Sequence, residues 1–397
     1  MLTFNDLINH FYNSIVPESE NKIGTEYELI CLNKKNLKRP GYNTNPGIKD
    51  ILEIFLEKTN SIPIYEGKNI IALKNNDYSI TLEPGGQFEA SFSPCKTITE
   101  LEKKLNNYLK ILKEVENLLD VYFIGFGVDP INKLEEVEWI PKKRYQIMSK
   151  YLFTKGSMTH YMMKQTASIQ VNIDYNSEKD AIEKIKNASK LYDILSSMFS
   201  NSSIYDSEYK GTSNFRSIIW KNNDPDRSGI PLYKGKEIKS FEDYTNYALD
   251  IPIMFIYKNH EYYEINGKIT FRDFLKHGFS GIFPDIKDWI LHLNTIFPIV
   301  RFNNSNIEIR MFDSNKPDIV LTISAIIKGI FYNKILYDNS INSRDIIQIA
   351  ENNLLIEEKH YLKQIKNIIE KNTSFGNLAY HVFKKSNIFD FIEYLKI

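Results

Sequence analysis

The sequence predicts an α+β fold, a sheet-based body followed by a helical C-terminal portion, on three observations. Strand-like patterns occur at 22–32, 78–93, 121–128, 166–175 and 306–313. Helical patterns lie between them, at 46–59, 97–119, 177–200, 241–250 and 284–296. From 318 onward the apolar spacing is almost purely helical and ends in the amphipathic run FDFIEYLKI. Periods of two and of 3.6 residues alternate without an internal repeat, which predicts one body and not two independent domains.

Taken in order, the opening MLTFNDLINHFYNSI predicts a short amphipathic helix. It has no basic start, and Asn5, Asp6 and Asn9 break any apolar run, so it does not read as a signal peptide. In KIGTEYELICL (22–32), Ile23, Thr25, Tyr27 and Leu29 share one face while Glu26 and Glu28 share the other. After the turn Pro84-Gly85-Gly86, Gln87 and Glu89 share a face, with Glu83 just before the turn. Thr97 and Glu100 have capping-box spacing at the head of the helix 97–119. At 168–174, Ile169, Val171 and Ile173 oppose Gln170, Asn172 and Asp174; at 307–310, Ile307 and Ile309 oppose Glu308 and Arg310. The stretch 201–240, rich in Asn, Ser, Asp, Gly and Pro, reads as a long loop region, and loops of that length are functional or disordered. The apolar run Ile319 to Ile327 is closed by Asp318 and Lys328, about half of the ~20 residues a membrane span requires.

Composition excludes several classes. Lys plus Arg (50) balances Asp plus Glu (50), so no general attraction to nucleic acid or an anionic membrane is expected. The two cysteines, Cys31 and Cys95, have no metal-type or disulfide-framework spacing and suit a reducing cytoplasm. Arginine occurs only eight times in a lysine-rich chain. Six of them (Arg144, Arg216, Arg227, Arg272, Arg301, Arg310) lie mid-chain, where a planar, bidentate cation is the reason to prefer arginine.

Four strands thus carry one apolar face and one face of carboxylates, amides and an arginine. Solvated sheet faces mix in Lys, Thr and Ser, whereas Glu, Gln and Asn dominate these. If the strands are neighbours, each like pair at ~4 Å costs about 4 kcal/mol at an effective dielectric near 20, and cations must balance them. Oxygen donors without His or Cys suit hard ions, typically Mg²⁺ with nucleotide phosphates. Two or three Mg²⁺ bridging phosphate oxygens, with Arg310 on a phosphate, would balance the site. No GxxxxGK[ST] loop is present, and neither GFG (125–127) nor PGG (84–86) opens a helix. Nucleotide binding here would therefore work through metals and arginines on a sheet.

Ten blocks carry a resemblance: IGTEYE (23–28), LEPGGQFE (82–89), PKKRYQIM (141–148), TASIQVNIDY (166–175), FRSIIW (215–220), DPDRSGIP (224–231), FEDYTNYALDIP (241–252), TFRDFL (270–275), DWILHLNTIFPIVR (288–301) and IEIR (307–310). In order and spacing they resemble the glutamate–cysteine ligases of the plant and proteobacterial type, glutamine-synthetase-like ligases with the active site on a curved antiparallel sheet. The resemblance runs from about Lys22 to Arg310; with the patterning it gives a single catalytic domain over 1–397, a ligase core at about 22–313 and a helical portion at 318–397. It implies Glu26, Glu28, Glu83, Glu89 and Glu308 as metal ligands, with Gln170 where other branches have a histidine. Asn172 and Arg310 would contact ATP phosphates, with Glu308 and Arg310 as the catalytic pair. Arg216 and Arg227 would hold substrate carboxylates or phosphate, and Trp220, Tyr145 and Met163 would line the amino-acid pocket.

The implied activity is ATP- and Mg²⁺-dependent joining of the L-glutamate γ-carboxylate to L-cysteine through a γ-glutamyl phosphate, by a cytoplasmic monomer or homodimer acting on small molecules, with no nucleic acid or membrane partner. SNSS (200–203) and Ile218 depart from the family pattern near the acceptor side, so the alternative is the same chemistry on another amine. A catalytically silent binding protein would gain nothing from the clustered glutamates. A barrel for an apolar ligand would want apolar residues on those faces.

Overall fold

A computed structural model describes residues 2–333, 335, 337 and 340–397. Nine strands form its main sheet: β1 (Ile23–Asn33), β2 (Ile62–Glu66), β3 (Asn69–Lys74), β4 (Tyr78–Leu82), β5 (Phe88–Cys95), β6 (Val121–Ile124), β7 (Ser168–Ile173), β8 (Val300–Phe302) and β9 (Ile307–Asp313). Their order is β8-β9-β7-β1-β5-β4-β3-β2, with β6 pairing the far end of β1, and every pairing is antiparallel. The α+β class and the antiparallel sheet expected from the sequence are both present. The segment 78–93 is a hairpin whose turn is the PGG motif. Gly86 sits there at φ +80°, and a Cβ on Gly85 would come within 2.5 Å of the Lys164 carbonyl oxygen, so neither position accepts a side chain.

Alternation puts Tyr27, Leu29, Ile169, Val171, Ile173, Ile307 and Ile309 on one face, where all are buried. Helices Ile98–Leu119, Glu178–Met198 and Pro317–Phe331 pack against that side of the sheet. The first is capped by Thr97, whose side chain accepts from the Glu100 backbone N–H at 3.1 Å; Glu100 itself reaches back to the Lys96 N–H and not to Thr97, so the capping box is only half formed. Pro317–Phe331 is buried along almost its whole length, including Ile319 to Ile327. A helix apolar all round belongs in a core, and this one lies beneath β1 and β7. Among the described residues no helix is long and apolar enough to cross a membrane.

The stretch 201–240 is more ordered than expected. It contains the helix Phe215–Lys221, whose N-cap Asn214 accepts from the Ser217 N–H, and several two-residue strands. Beyond 318 the helices Ser343–Asn353, Lys363–Glu370, Phe375–Lys385 and Ile388–Leu395 follow. The helical expectation also covers residues 334, 336, 338 and 339, which lie outside the described residues.

Candidate active site

Strand register joins the polar faces into one. Glu28 of β1 lies opposite Glu89 of β5, and Glu26 opposite Gln170 of β7. Glu308 of β9 lies opposite Asn172 of β7 on one side and Arg301 of β8 on the other. Residues opposite one another point the same way, so the neighbour condition on which the metal reading depends is met. The β7–β9 register shifts between Ile309 and Phe312. Such a bulge re-aims a side chain, and Arg310, which lies inside it, turns its guanidinium onto the carboxylate of Glu308 and the amide oxygen of Gln170.

A cavity of about 440 Å³ lies over this face. All six residues expected as metal ligands (Glu26, Glu28, Glu83, Glu89, Gln170, Glu308) line it, as do Arg310, Arg216, Trp220, Tyr145 and Met163. A second cavity of about 300 Å³, largely apolar, adjoins it across Arg216, Trp220, Phe297 and Arg310, which line both. Asn172 shares the polar face but is not a lining residue: its Nδ2 donates to Glu26 at 2.9 Å.

Arg227 corrects the sequence reading. Expected as a carboxylate clamp beside Arg216, it is fully buried away from the cavity. Its Nε donates to Asp224 at 3.0 Å, Nη1 to the Thr295 carbonyl at 3.3 Å, and Nη2 to the Pro252 carbonyl. The guanidinium is fully engaged in tying the DPDR loop to its neighbours. Arg227→Lys is therefore expected to lower stability by about 2 kcal/mol, since one ammonium cannot reach all three acceptors. Ligand binding in the cavity should stay unchanged. Denaturant unfolding alongside substrate titration checks this, and altered binding at unaltered stability would return Arg227 to the site.

Sequence reasoning also passed over Lys142 and left Arg144 and Arg301 open between structural ion pairs and the site. Lys142, Arg144 and Arg301 line the cavity, so five cations face its five carboxylates. Arg301 grips Glu308 through Nε at 3.0 Å and Nη2 at 2.9 Å, a cross-strand pairing that no local pattern announces. Lys142 and Arg144 come from PKKR, where a basic run reads equally well as a solvated helix start. Lys142 Nζ and the Tyr145 hydroxyl both donate to the Leu82 carbonyl, at 2.8 and 2.7 Å.

The charges are segregated. Glu308 takes both Arg301 and Arg310, whereas Glu26, Glu28, Glu83 and Glu89 have no cation within 4.0 Å among the described residues. Three of the four are held by neutral donors: Glu28 by Ser168 and Gln170 at 2.7 and 2.8 Å, Glu26 by Asn172, and Glu89 by Thr81 at 2.6 Å. Burial, then repulsion from Glu308 and Glu89, pushes the Glu26 carboxyl well above its ordinary value. Burial and Glu83 push Glu28 up to about 8 and Glu89 up to about 7. At Glu308 burial works the same way, but Arg301 and Arg310 overcome it and hold that carboxyl low. Burial lowers Lys142 to about 8, helped by Arg144.

These donors fit a hard divalent ion in kind: oxygen-only, close in register, and short of positive charge. Among the described residues no three of them already converge as a metal cluster would. Glu26, Glu28, Glu89 and Glu308 have each turned to a hydrogen-bond donor, and an ion would have to draw them away.

The model of glutamate–cysteine ligase family 2 matches residues 22–372. A chloroplastic glutamate–cysteine ligase of Medicago truncatula is 34% identical over 337 residues, covering 84% of this chain and 65% of its own. A chloroplastic glutamate–cysteine ligase A of Oryza sativa subsp. japonica is 36% identical over 303 residues, with 76% and 61% covered. The chain thus spans less than two thirds of the length of these two relatives. In three dimensions the chain is similar to a glutamate–cysteine ligase of Francisella tularensis solved in complex with AMP. That likeness has a TM-score of 0.54 at 12% identity and covers 95% of this chain and 87% of the other, a likeness of fold.

Proposed function

The chain belongs to glutamate–cysteine ligase family 2, and from that premise we propose that it joins the γ-carboxylate of L-glutamate to the amine of L-cysteine, using ATP, as the first step of glutathione synthesis. The observation that carries the reading is the partition of charge within one cavity. Four carboxylates without counter-ions cover one part of the sheet face, and arginines and a lysine stand around them. Such a site takes metal-bound polyphosphate at the carboxylates and free anionic groups at the cations.

Glu26, Glu28, Glu83, Glu89 and Glu308, with Gln170, would hold Mg²⁺, two or three ions, which would neutralise charge on the phosphates of ATP. Arg310, aimed by the bulge, holds oxygens of the transferring phosphoryl group. Asn172 acts through Glu26, which it orients. Arg216, buried and with its Nε unpartnered among the described residues, holds a substrate carboxylate beside the Trp220 ring. Trp220, Tyr145 and Met163 keep water from the reacting carbon.

Within this frame a γ-carboxylate oxygen of glutamate attacks the terminal phosphorus of ATP and ADP leaves. The amine nitrogen then attacks the acyl carbon of γ-glutamyl phosphate, losing a proton as phosphate departs. The adjoining 300 Å³ cavity gives room for the acceptor's side chain. No enzyme nucleophile is called for, and the buried Cys31 thiol, pushed up by burial, is not one. The sparse cysteines suit a reducing cytoplasm and the balanced charge suits small-molecule substrates; the chain would work there as a monomer or homodimer.

Phosphate release by purified protein with ATP, Mg²⁺ and L-glutamate is the test, run with and without L-cysteine and with other amines in parallel. Cysteine-dependent release with γ-glutamylcysteine as product is the expected result. Release that needs glutamate but ignores cysteine and answers to another amine would keep the mechanism and replace the acceptor.

A further inference from the structure

On the far side of the sheet from the active site, a cavity of about 360 Å³ opens where the head of helix Pro317–Phe331 meets the C-terminal helices. Three features of it point to a ligand. Asn315, only 3% exposed, is one of its lining residues, and its Nδ2 is a buried donor with no partner among the described residues, an unfavourable state for an amide N–H. Lys316 is the one charged side chain lining it among the described residues. The Lys316 ammonium has no carboxylate within 4.0 Å there and lies over the Tyr394 ring at 4.2 Å. Ile368, Phe375 and Leu378 supply an apolar wall. An unpaired amide donor and an ammonium without a carboxylate in contact, beside an apolar wall, are complementary to an anionic head on a short hydrocarbon body.

We infer that this cavity binds a small organic carboxylate, its head on Lys316 and Asn315 and its body against Ile368, Phe375 and Leu378. Burial depresses the Lys316 ammonium, a cost that a bound anion relieves. The pocket is wired to the catalytic strand. The Asn315 carbonyl accepts from the Tyr27 hydroxyl at 2.6 Å, and the neighbouring Ser314 hydroxyl donates to the Glu28 carbonyl at 2.5 Å. Both acceptor and donor on β1 sit at or beside Glu26 and Glu28, so occupancy bears directly on the strand that carries them.

Isothermal titration of the full chain with hexanoate and with hexanamide tests this without any reference to catalysis. Hexanoate is expected to bind at least ~10-fold more tightly than the amide, the worth of one charge-assisted contact. Lys316→Gln should lose that preference, and Leu378→Trp, at a partly exposed position, should lose binding altogether by filling the cavity. Equal binding of acid and amide overturns the inference, as does undiminished hexanoate binding in both variants or none to the wild type.

Discussion

Glutamine in place of Glu26 is expected to reduce ATP turnover by about 10³-fold, the scale of losing one preorganised electrostatic contact to the reacting phosphates, while making the metal-free protein more stable. The two effects have one cause. Glu26 is a carboxylate in a buried setting, repelled by Glu308 and Glu89, with only the Asn172 amide to hold it. Glutamine keeps that hydrogen bond through its amide oxygen and removes the charge. The metal-free variant should therefore unfold at a higher temperature, since the burial and the repulsion from Glu308 and Glu89 act on the charge that glutamine lacks. Thermal unfolding of both proteins in a chelator, beside phosphate-release assays, checks the pair of outcomes. Near-normal turnover would remove Glu26 from the metal set.

The same electrostatics give the metal-free wild type a signature in pH. Glu26, Glu28 and Glu89 titrate higher in the folded chain than the ordinary value of 4.5. Between about that value and about 8 the folded state therefore holds more protons than the unfolded one, and stability falls as pH rises. Glu308 has the opposite sign: its folded value is depressed, so its contribution is present above its ordinary value and is lost only in acid. The net expectation is a decline from about pH 4.5 to 8 that Glu26→Gln flattens and that Mg²⁺ with ATP reverses.

How much of this was legible in the chain depends on the range of the interaction. Alternation at Glu26/Glu28, Gln170/Asn172 and Glu308/Arg310 is a property of neighbouring residues, and it identified the polar faces. That Glu28 would face Glu89, and Glu26 would face Gln170, depends on strand order, which no local pattern contains. The PGG turn was readable because Gly86 needs a positive φ; the β2–β3 hairpin around Glu66-Gly67-Lys68 carries a similar signal at Gly67, φ +60°, and was overlooked. Arg227 shows the limit most clearly. An arginine in DPDR looks the same whether it reaches a substrate or the aspartate three residues back, and only the Thr295 and Pro252 carbonyls, 68 and 25 residues away in sequence, decide it.

Glu308→Gln separates structural from catalytic charge on the same face. By sequence Glu308 and Glu26 are equivalent carboxylates, and each would be expected to leave the fold intact when neutralised. The structure makes them opposites. Glu308 is fully buried and accepts from Arg301 through both carboxylate oxygens, at 3.1 and 2.9 Å, and from Arg310 as well. Its neutralisation leaves two buried guanidinium groups short of a counter-charge. Breaking a buried pair by removing one partner typically costs about 3–5 kcal/mol, whereas Glu26→Gln relieves repulsion. Both variants should be inactive, but Glu308→Gln should unfold at markedly lower denaturant concentration and Glu26→Gln at slightly higher. Chemical unfolding of the two side by side reads the difference. Equal stabilities would mean that Arg301 and Arg310 find other acceptors, of which the Ile296 carbonyl, already 2.7 Å from Arg301 Nη1, is the nearest at hand. The charge of Glu308 would then belong wholly to the metal site.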